Sequence, residues 1–228
     1  MPILTDFAEF IDPDEALQPV VTFGVSMPDA SLELAPHTHR KAQVLLSLRG
    51  VLTCEAEGGL WLAPPQCAIW VPGGAVHALK ASGAIEGYNA FIEPPLADRM
   101  PAACCTLSVT PLLRELLRRA AGFPLQYPDC GAEAHLITLL LDELAAAPVE
   151  RLHLPMPADG RLRRIAQTMM AEPADHGTMR SWAAQAGLSE RSLARLLARE
   201  TGMSFGRWRR QLLIMLALEW MGDGASIQ

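Results

Sequence analysis

The sequence predicts an α+β chain of two domains: a small β-barrel or sandwich followed by helices, then an all-α helix-turn-helix unit. Three observations carry that expectation. Residues 1 to about 108 form a series of short apolar runs separated by proline and glycine, the texture of many short strands. Beyond Val109, leucines recur at helical spacing. Near the C-terminus, MRSWAAQAGLSERSLARL (Met179 to Leu196) places its apolar residues where two short crossed helices need them. The expected layout is a small barrel over 1–108, a helical packing segment over 109–148, a linker over 149–158 and a helix-turn-helix domain over 159–228.

Taken in order, Val20–Val25, Val44–Leu48, Gly59–Leu62, Ala68–Val71, Tyr88–Ile92 and Cys104–Val109 read as strands bounded by turn residues. Pro111–Ala121 starts a helix on proline, with Leu112, Leu113, Leu116 and Leu117 as its apolar stripe. Gly131–Ala147 is a second helix with Leu136, Leu139, Leu140 and Leu144 on one side. His135 on that apolar helix reads as a structural histidine, and Asp142 and Glu143 diverge as helix neighbours. The three prolines of Ala147–Ala158 break any helix and read as a semi-rigid connection. Leu162–Met170 is the next helix, ended by Glu172–Pro173, and Thr178 caps the one after it.

Composition narrows the function. Of 228 residues 50% are apolar and 19% charged, and no apolar run is long enough to span a membrane. No basic leader precedes an apolar core at the N-terminus, so no secretion signal is expected. Five cysteines lack any Cys-x-x-Cys spacing, which fits free thiols in a reducing cytoplasm. No glycine-rich phosphate loop and no Ser-His-Asp pattern appears. The net charge of −6 divides unevenly: from Pro155 onward ten Arg face seven acids, leaving +3, and the preceding part carries −9. A basic module joined to an acidic one is expected where only one end meets phosphate; solvated surface arginines are the plainer alternative.

In the helix-turn-helix, Trp182, Ala183 and Ala186 share one face of the first helix, and Leu193, Leu196 and Leu197 one face of the second. Gly187 suits a turn that needs positive φ, and Ser189 is a natural N-cap. Ala183-x3-Gly187-Leu188-Ser189, Ser192-Leu193-x-Arg195-Leu196, Glu200-Thr201-Gly202-Met203-Ser204 and Trp208-Arg209-Arg210 follow in succession. This succession, from Leu162 to the end, closely resembles the DNA-binding domain of the AraC/XylS family of bacterial transcription regulators. The resemblance implies sequence-specific binding of double-stranded operator DNA. Arg191, Ala194 and Arg195 match positions that face base edges, where a guanidinium can pair with guanine and a methyl can touch thymine. Arg180, Ser181, Ser192 and Arg199 are better placed for phosphate, although Arg199 has Glu200 and Asp175 as alternative partners. On the long helix Phe205–Met221, Trp208 reads as core, and some of Arg207, Arg209 and Arg210 as members of ion pairs. The chain stops at GDGASIQ, where the family pattern begins a second helix-turn-helix, so that unit is expected to be truncated.

The strand-rich part carries its own pattern. His37-x-His39-x3-Gln43-x6-Gly50 and, later, Pro72-x-Gly74-x-x-His77 are similar to the two motifs of the cupin fold, a double-stranded β-barrel. In metal-binding cupins these positions are three His and one carboxylate around a divalent first-row metal. Here Gln43 stands in place of the usual Glu, Ala81 in place of a usual Asn, and no Gly precedes Pro72 at the usual distance. An amide is a weaker ligand than a carboxylate. His37, His39, Gln43 and His77 are therefore candidates for holding a divalent metal (Zn, Ni, Fe or Mn) or, without one, for lining an effector pocket. Gly50, Pro72 and Gly74 read as turn residues, and His37, His39, Arg40 and Lys41 cluster near the expected barrel mouth. Together the two resemblances imply a cytoplasmic, non-enzymatic regulator answering to a small-molecule effector, and a homodimer paired through 109–148. The alternative is a metal-dependent cupin enzyme of dioxygenase or isomerase type.

Overall fold

Two long strands, β4 (Ala42–Ala56) and β7 (His77–Ile92), organise the N-terminal part of the structure, a computed structural model that describes residues 3–4, 12–28, 33–174 and 177–222. They pair antiparallel along their whole length, from Ala42 opposite Ile92 to Ala56 opposite His77, with irregularities between Ser47 and Val51. Alternation gives each strand two faces. On β4, Val44 and Leu46 join one apolar cluster, whereas Leu45 joins another with Leu52, Leu79 and Ile85.

Eight shorter strands complete a ten-stranded sheet: β1 (Ile3–Leu4), β2 (Val20–Met27), β3 (Glu33–His37), β5 (Gly59–Ala63), β6 (Cys67–Val71), β8 (Cys105–Ser108), β9 (Val149–Glu150) and β10 (His153–Pro155). The hydrogen-bonded order is β1-β2-β7-β4-β6-β8-β9, with β3 on β7 and β5 between β4 and β10. Sequence periodicity catches only the apolar ends of the long strands. Gly50, expected in a turn, lies inside β4 at φ 76°, where the strand is irregular. The connection at 149–158 contributes β9 and β10 to the sheet, and His153 stacks on Trp61 with ring centroids 4.6 Å apart.

Helix α1 (Pro111–Ala120) begins on Pro111, with the Thr110 hydroxyl accepting the Leu113 N–H. It and α2 (Ala132–Ala146) bury Leu113, Leu116, Leu117, Ile137, Leu140 and Leu144 in the cluster that holds Val44 and Leu46. Leu112 and Leu139 depart from the expected stripes. They are 49% and 44% exposed, because the buried lines run through Leu113 and Ile137 instead. His135 is exposed rather than structural.

The C-terminal helices are α3 (Gly160–Ala171), α4 (Met179–Gln185), α5 (Glu190–Thr201) and α6 (Phe205–Gly222). Asp159, Thr178 and Ser189 cap the first three, each accepting a backbone N–H two or three residues on. Gly187 takes φ 65° in the tight turn between α4 and α5, and the Leu188 N–H returns to the Ala183 carbonyl at 2.8 Å. Trp182, Ala183, Leu193 and Leu197 are buried, with Leu196 only partly so. Trp208 is core as expected, 1% exposed, and its indole N–H donates to the Pro155 carbonyl. Arg209 donates to the Gly177 carbonyl, and neither Arg207 nor Arg210 has an ion-pair partner among the described residues. Residues 223–228, on which the expected truncation of a second unit rests, lie outside the described residues.

Contacts divide the chain into two units. One comprises the described residues up to Glu57, with Trp61–His153 and those from Glu219; the other comprises Gly58–Leu60 and Leu154–Leu218. No helix among the described residues is long and apolar enough to cross a membrane.

Candidate functional sites

The sheet register brings together residues that lie far apart in sequence. His37 at the end of β3 stands opposite His77 at the start of β7, and their ring centroids are 4.3 Å apart. His39 follows in the loop, 5.0 Å from the His77 ring and 5.9 Å from His37. That loop is held by the Pro72–Gly74 turn, whose Gly74 N–H donates to the His39 carbonyl at 2.8 Å. The approach demands glycine, since a Cβ on Gly73 would sit 2.1 Å from the Arg40 carbonyl oxygen. The three histidines offer ligand nitrogens within 4.8 Å of one another.

Their hydrogen bonds settle the tautomers. His37 Nδ1 donates to the Ala35 carbonyl (2.9 Å), His39 Nδ1 to Lys41 (2.6 Å) and His77 Nδ1 to Ala75 (3.0 Å). A carbonyl only accepts, so each Nδ1 carries a proton and each neutral ring keeps a bare Nε2 lone pair. Burial pushes the His77 imidazole down to about 4, helped by repulsion from His37 and His39, so it is neutral near pH 7. Gln43 completes the group. Its Oε1 lies 3.2 Å from His39 Nε2 and 3.1 Å from His77 Nε2, while its NH2 donates to Asn89 Oδ1 at 3.2 Å. The three imidazoles and the Gln43 amide thus converge, as the ligands of a cation would. His37, His39 and His77, with Gln43 beside them, could hold a metal ion.

Asn89 has no part in the sequence motifs. It sits on β7 two residues from Phe91, which is opposite Gln43, so the two amides are diagonal neighbours on one face. The available signal is a lone polar residue inside the apolar run Tyr88–Ile92. His37, Gln43, Tyr88 and Asn89 border a cavity of about 340 Å³ whose remaining wall is aliphatic, with Val25, Leu34, Leu45, Leu52 and Leu79 among its members. Arg40 and Lys41, expected at the mouth, do not line it. Arg40 pairs with Glu93, and the buried Lys41 ammonium donates to the carbonyls of Ala16 and Gln18 at 2.8 Å. Both backbone N–H groups bond the Asp14 carboxylate, so these cations anchor the chain preceding β2. Burial raises the Cys104 thiol to about 12 and Cys105 to about 11, which disfavours the thiolate.

In the helical unit, α5 presents Arg191, Arg195 and Arg199 exposed, with Ser192 and Ala194 partly buried. Arg191 and Arg195 have no ion-pair partner among the described residues, which leaves both guanidinium groups available. Arg199 lies 3.7 Å from Glu200, and Arg180 donates to Glu190 at 3.1 Å. The alternative partner Asp175 lies outside the described residues. The Ser181 hydroxyl donates to the Thr178 carbonyl, and Ser192 receives the Ser189 hydroxyl at 3.0 Å.

Comparison with known proteins gives this combination a family. Residues 29–154 match the model of the AraC-like ligand binding domain. Over 217 residues the chain is 38% identical to the HTH-type transcriptional regulator NimR of Escherichia coli (strain K12), an alignment covering 95% of this chain and 79% of NimR. The HTH-type transcriptional regulator RipA of Corynebacterium glutamicum is 33% identical over 73 residues, 32% of this chain and 22% of RipA. Among solved structures, the AraC-like transcriptional activator CuxR matches at 14% identity with a TM-score of 0.38, over 81% of this chain and 72% of its own. The chain belongs to the AraC family of HTH-type transcriptional regulators and carries that family's ligand-binding domain.

Proposed function

We propose that the protein is a cytoplasmic, sequence-specific transcription regulator that binds double-stranded operator DNA and answers to a small molecule held in its N-terminal cavity. The observation that carries this reading is one chain joining an apolar cavity to a helix–turn–helix whose second helix shows two uncommitted arginines. Arg191 and Arg195 lie one turn apart and read base edges, with Ala194 offering a methyl between them. Arg180, Ser181, Ser192 and Arg199 bond phosphate and set the register on the duplex. The Glu partners of Arg180 and Arg199 are surface pairs worth little, so exchange for phosphate costs little.

Effector binding acts by shifting the population between arrangements with different affinity for DNA. The exposed Leu112 and Leu139, on the helices of 109–148, support pairing of two copies through that segment. His37, His39 and His77, with Gln43, would hold a divalent metal, which would supply a fixed charge beside the cavity. The regulator reading displaces the cupin-enzyme alternative.

Chromatin immunoprecipitation of the tagged chain tests the function. Discrete genomic peaks are expected, and they should disappear in Arg191→Ala/Arg195→Ala; uniform recovery across the genome would refute the reading. Elemental analysis of protein purified without a metal-affinity column tests the metal. About one equivalent is expected, lost in His37→Ala/His77→Ala, and none in either protein would leave the cluster as pocket wall alone.

A further inference from the structure

The cavity is specific about charge. About 340 Å³ of space is walled by aliphatic side chains, and no Lys, Arg, Asp or Glu is among the described residues that line it. With no divalent cation at the histidines, a carboxylate or an ammonium group brought inside would be desolvated with no countercharge from the described lining residues, which disfavours such ligands. Its polar character comes from His37, Gln43, Tyr88 and Asn89.

Asn89 then stands apart from its neighbours. The residue is 5% exposed, and its Oδ1 is occupied by the Gln43 amide. Its own NH2 group has no partner among the described residues, although Asn89 borders the cavity. That donor borders the space that a ligand would fill. An oxygen with lone pairs would satisfy it.

We infer that the cavity, with no divalent cation at the histidines, takes an uncharged, largely apolar small molecule presenting one hydrogen-bond-accepting oxygen, such as a ketone or ester carbonyl, to the Asn89 side-chain amide. This names the chemistry of the effector and so rests on the reading of the cavity as the effector site. The aliphatic wall supplies most of the affinity through burial, and Asn89 supplies orientation and selection for the head group. Gln43 holds the Asn89 amide in place, and the ligand contacts the same polar corner that carries the histidines.

The test is calorimetric titration of the full chain with 2-octanone, octanoate, octylammonium and 1-octanol, in EDTA so that no divalent cation stands at the histidine cluster. 2-Octanone should bind, and octanoate and octylammonium should bind at least about a hundredfold more weakly. Leu52→Trp, which fills the cavity, should abolish ketone binding; Asn89→Leu should weaken it about tenfold with the circular dichroism unchanged. The ranking of the charged and uncharged probes on the wild-type chain needs no variant, so it stands even if a substitution impairs folding. Octanoate or octylammonium binding as tightly as the ketone overturns the inference, as does a ketone affinity indifferent to Asn89→Leu. A tenfold preference for 1-octanol over the ketone would place an acceptor rather than the NH2 in the cavity and overturn it too. If no probe binds, the inference fails, whereas the effector reading itself fails only if no small molecule changes operator affinity.

Discussion

The two units bring their functional side chains together by opposite means. In the helical unit, every candidate for DNA contact lies between Arg180 and Arg199, on two successive helices and the turn that joins them. In the strand-built unit, the polar cluster gathers residues from 37 to 89, carried by β3, β4, β7 and a loop. A helix places neighbours by local spacing, so its site can be read from sequence and broken by local changes. A sheet places them by register and by turns elsewhere, so its site depends on residues that never touch a ligand.

Changes aimed at each mode of construction should sharpen this contrast. Trp182 is fully buried, and Trp182→Ala should cost the helical unit about 3–5 kcal/mol, read from thermal unfolding, with loss of DNA binding. A smaller effect is expected in the strand-built unit from Gly73→Ala, whose Cβ must displace the Arg40 carbonyl. About 1–3 kcal/mol of destabilisation should accompany loss of metal binding, although Gly73 is not a ligand. Unchanged metal affinity in that variant would show that the turn does not position His39.

Proton linkage addresses the same cluster. His77 has its folded value near 4, below the ordinary 6.5, so the unfolded chain binds the extra proton between them. Its contribution to stability is complete above about pH 6.5 and is lost as pH falls toward 4. The metal-free protein should therefore lose at most about 1.4 kcal/mol per pH unit from this group across that window. His77→Gln should flatten the slope in denaturant titrations, and an unaltered slope would remove His77 as its source. Smaller still, Ser189→Ala should cost about 1 kcal/mol, because it removes one cap from α5 and leaves the buried leucines in place.

The same contrast explains what could be read in advance. The helix boundaries, the caps at Thr178 and Ser189, the turn at Gly187 and the burial of Trp182 and Trp208 all follow from local spacing. The apolar ends of β4 and β7 were legible too, but not their length, since the polar and small residues between them are held by pairing rather than by their own pattern. The histidines and Gln43 were visible as a motif. Asn89 was not, because its nearness to Gln43 exists only through the register that sets Gln43 opposite Phe91. The misplacement of Leu112 and Leu139 has a related cause: a helix stripe several residues wide does not say which edge faces the sheet.

The most direct measurement of the central claim is selection of bound sequences from a random pool of duplexes by the full chain, beside Arg191→Ala/Arg195→Ala. The wild-type chain should enrich a motif containing guanine, each arginine contributing about 1–3 kcal/mol of discrimination, and the double variant should lose the motif while its thermal unfolding stays unchanged. Enrichment of the same motif by the folded variant would contradict the assignment of α5 as the element that reads DNA.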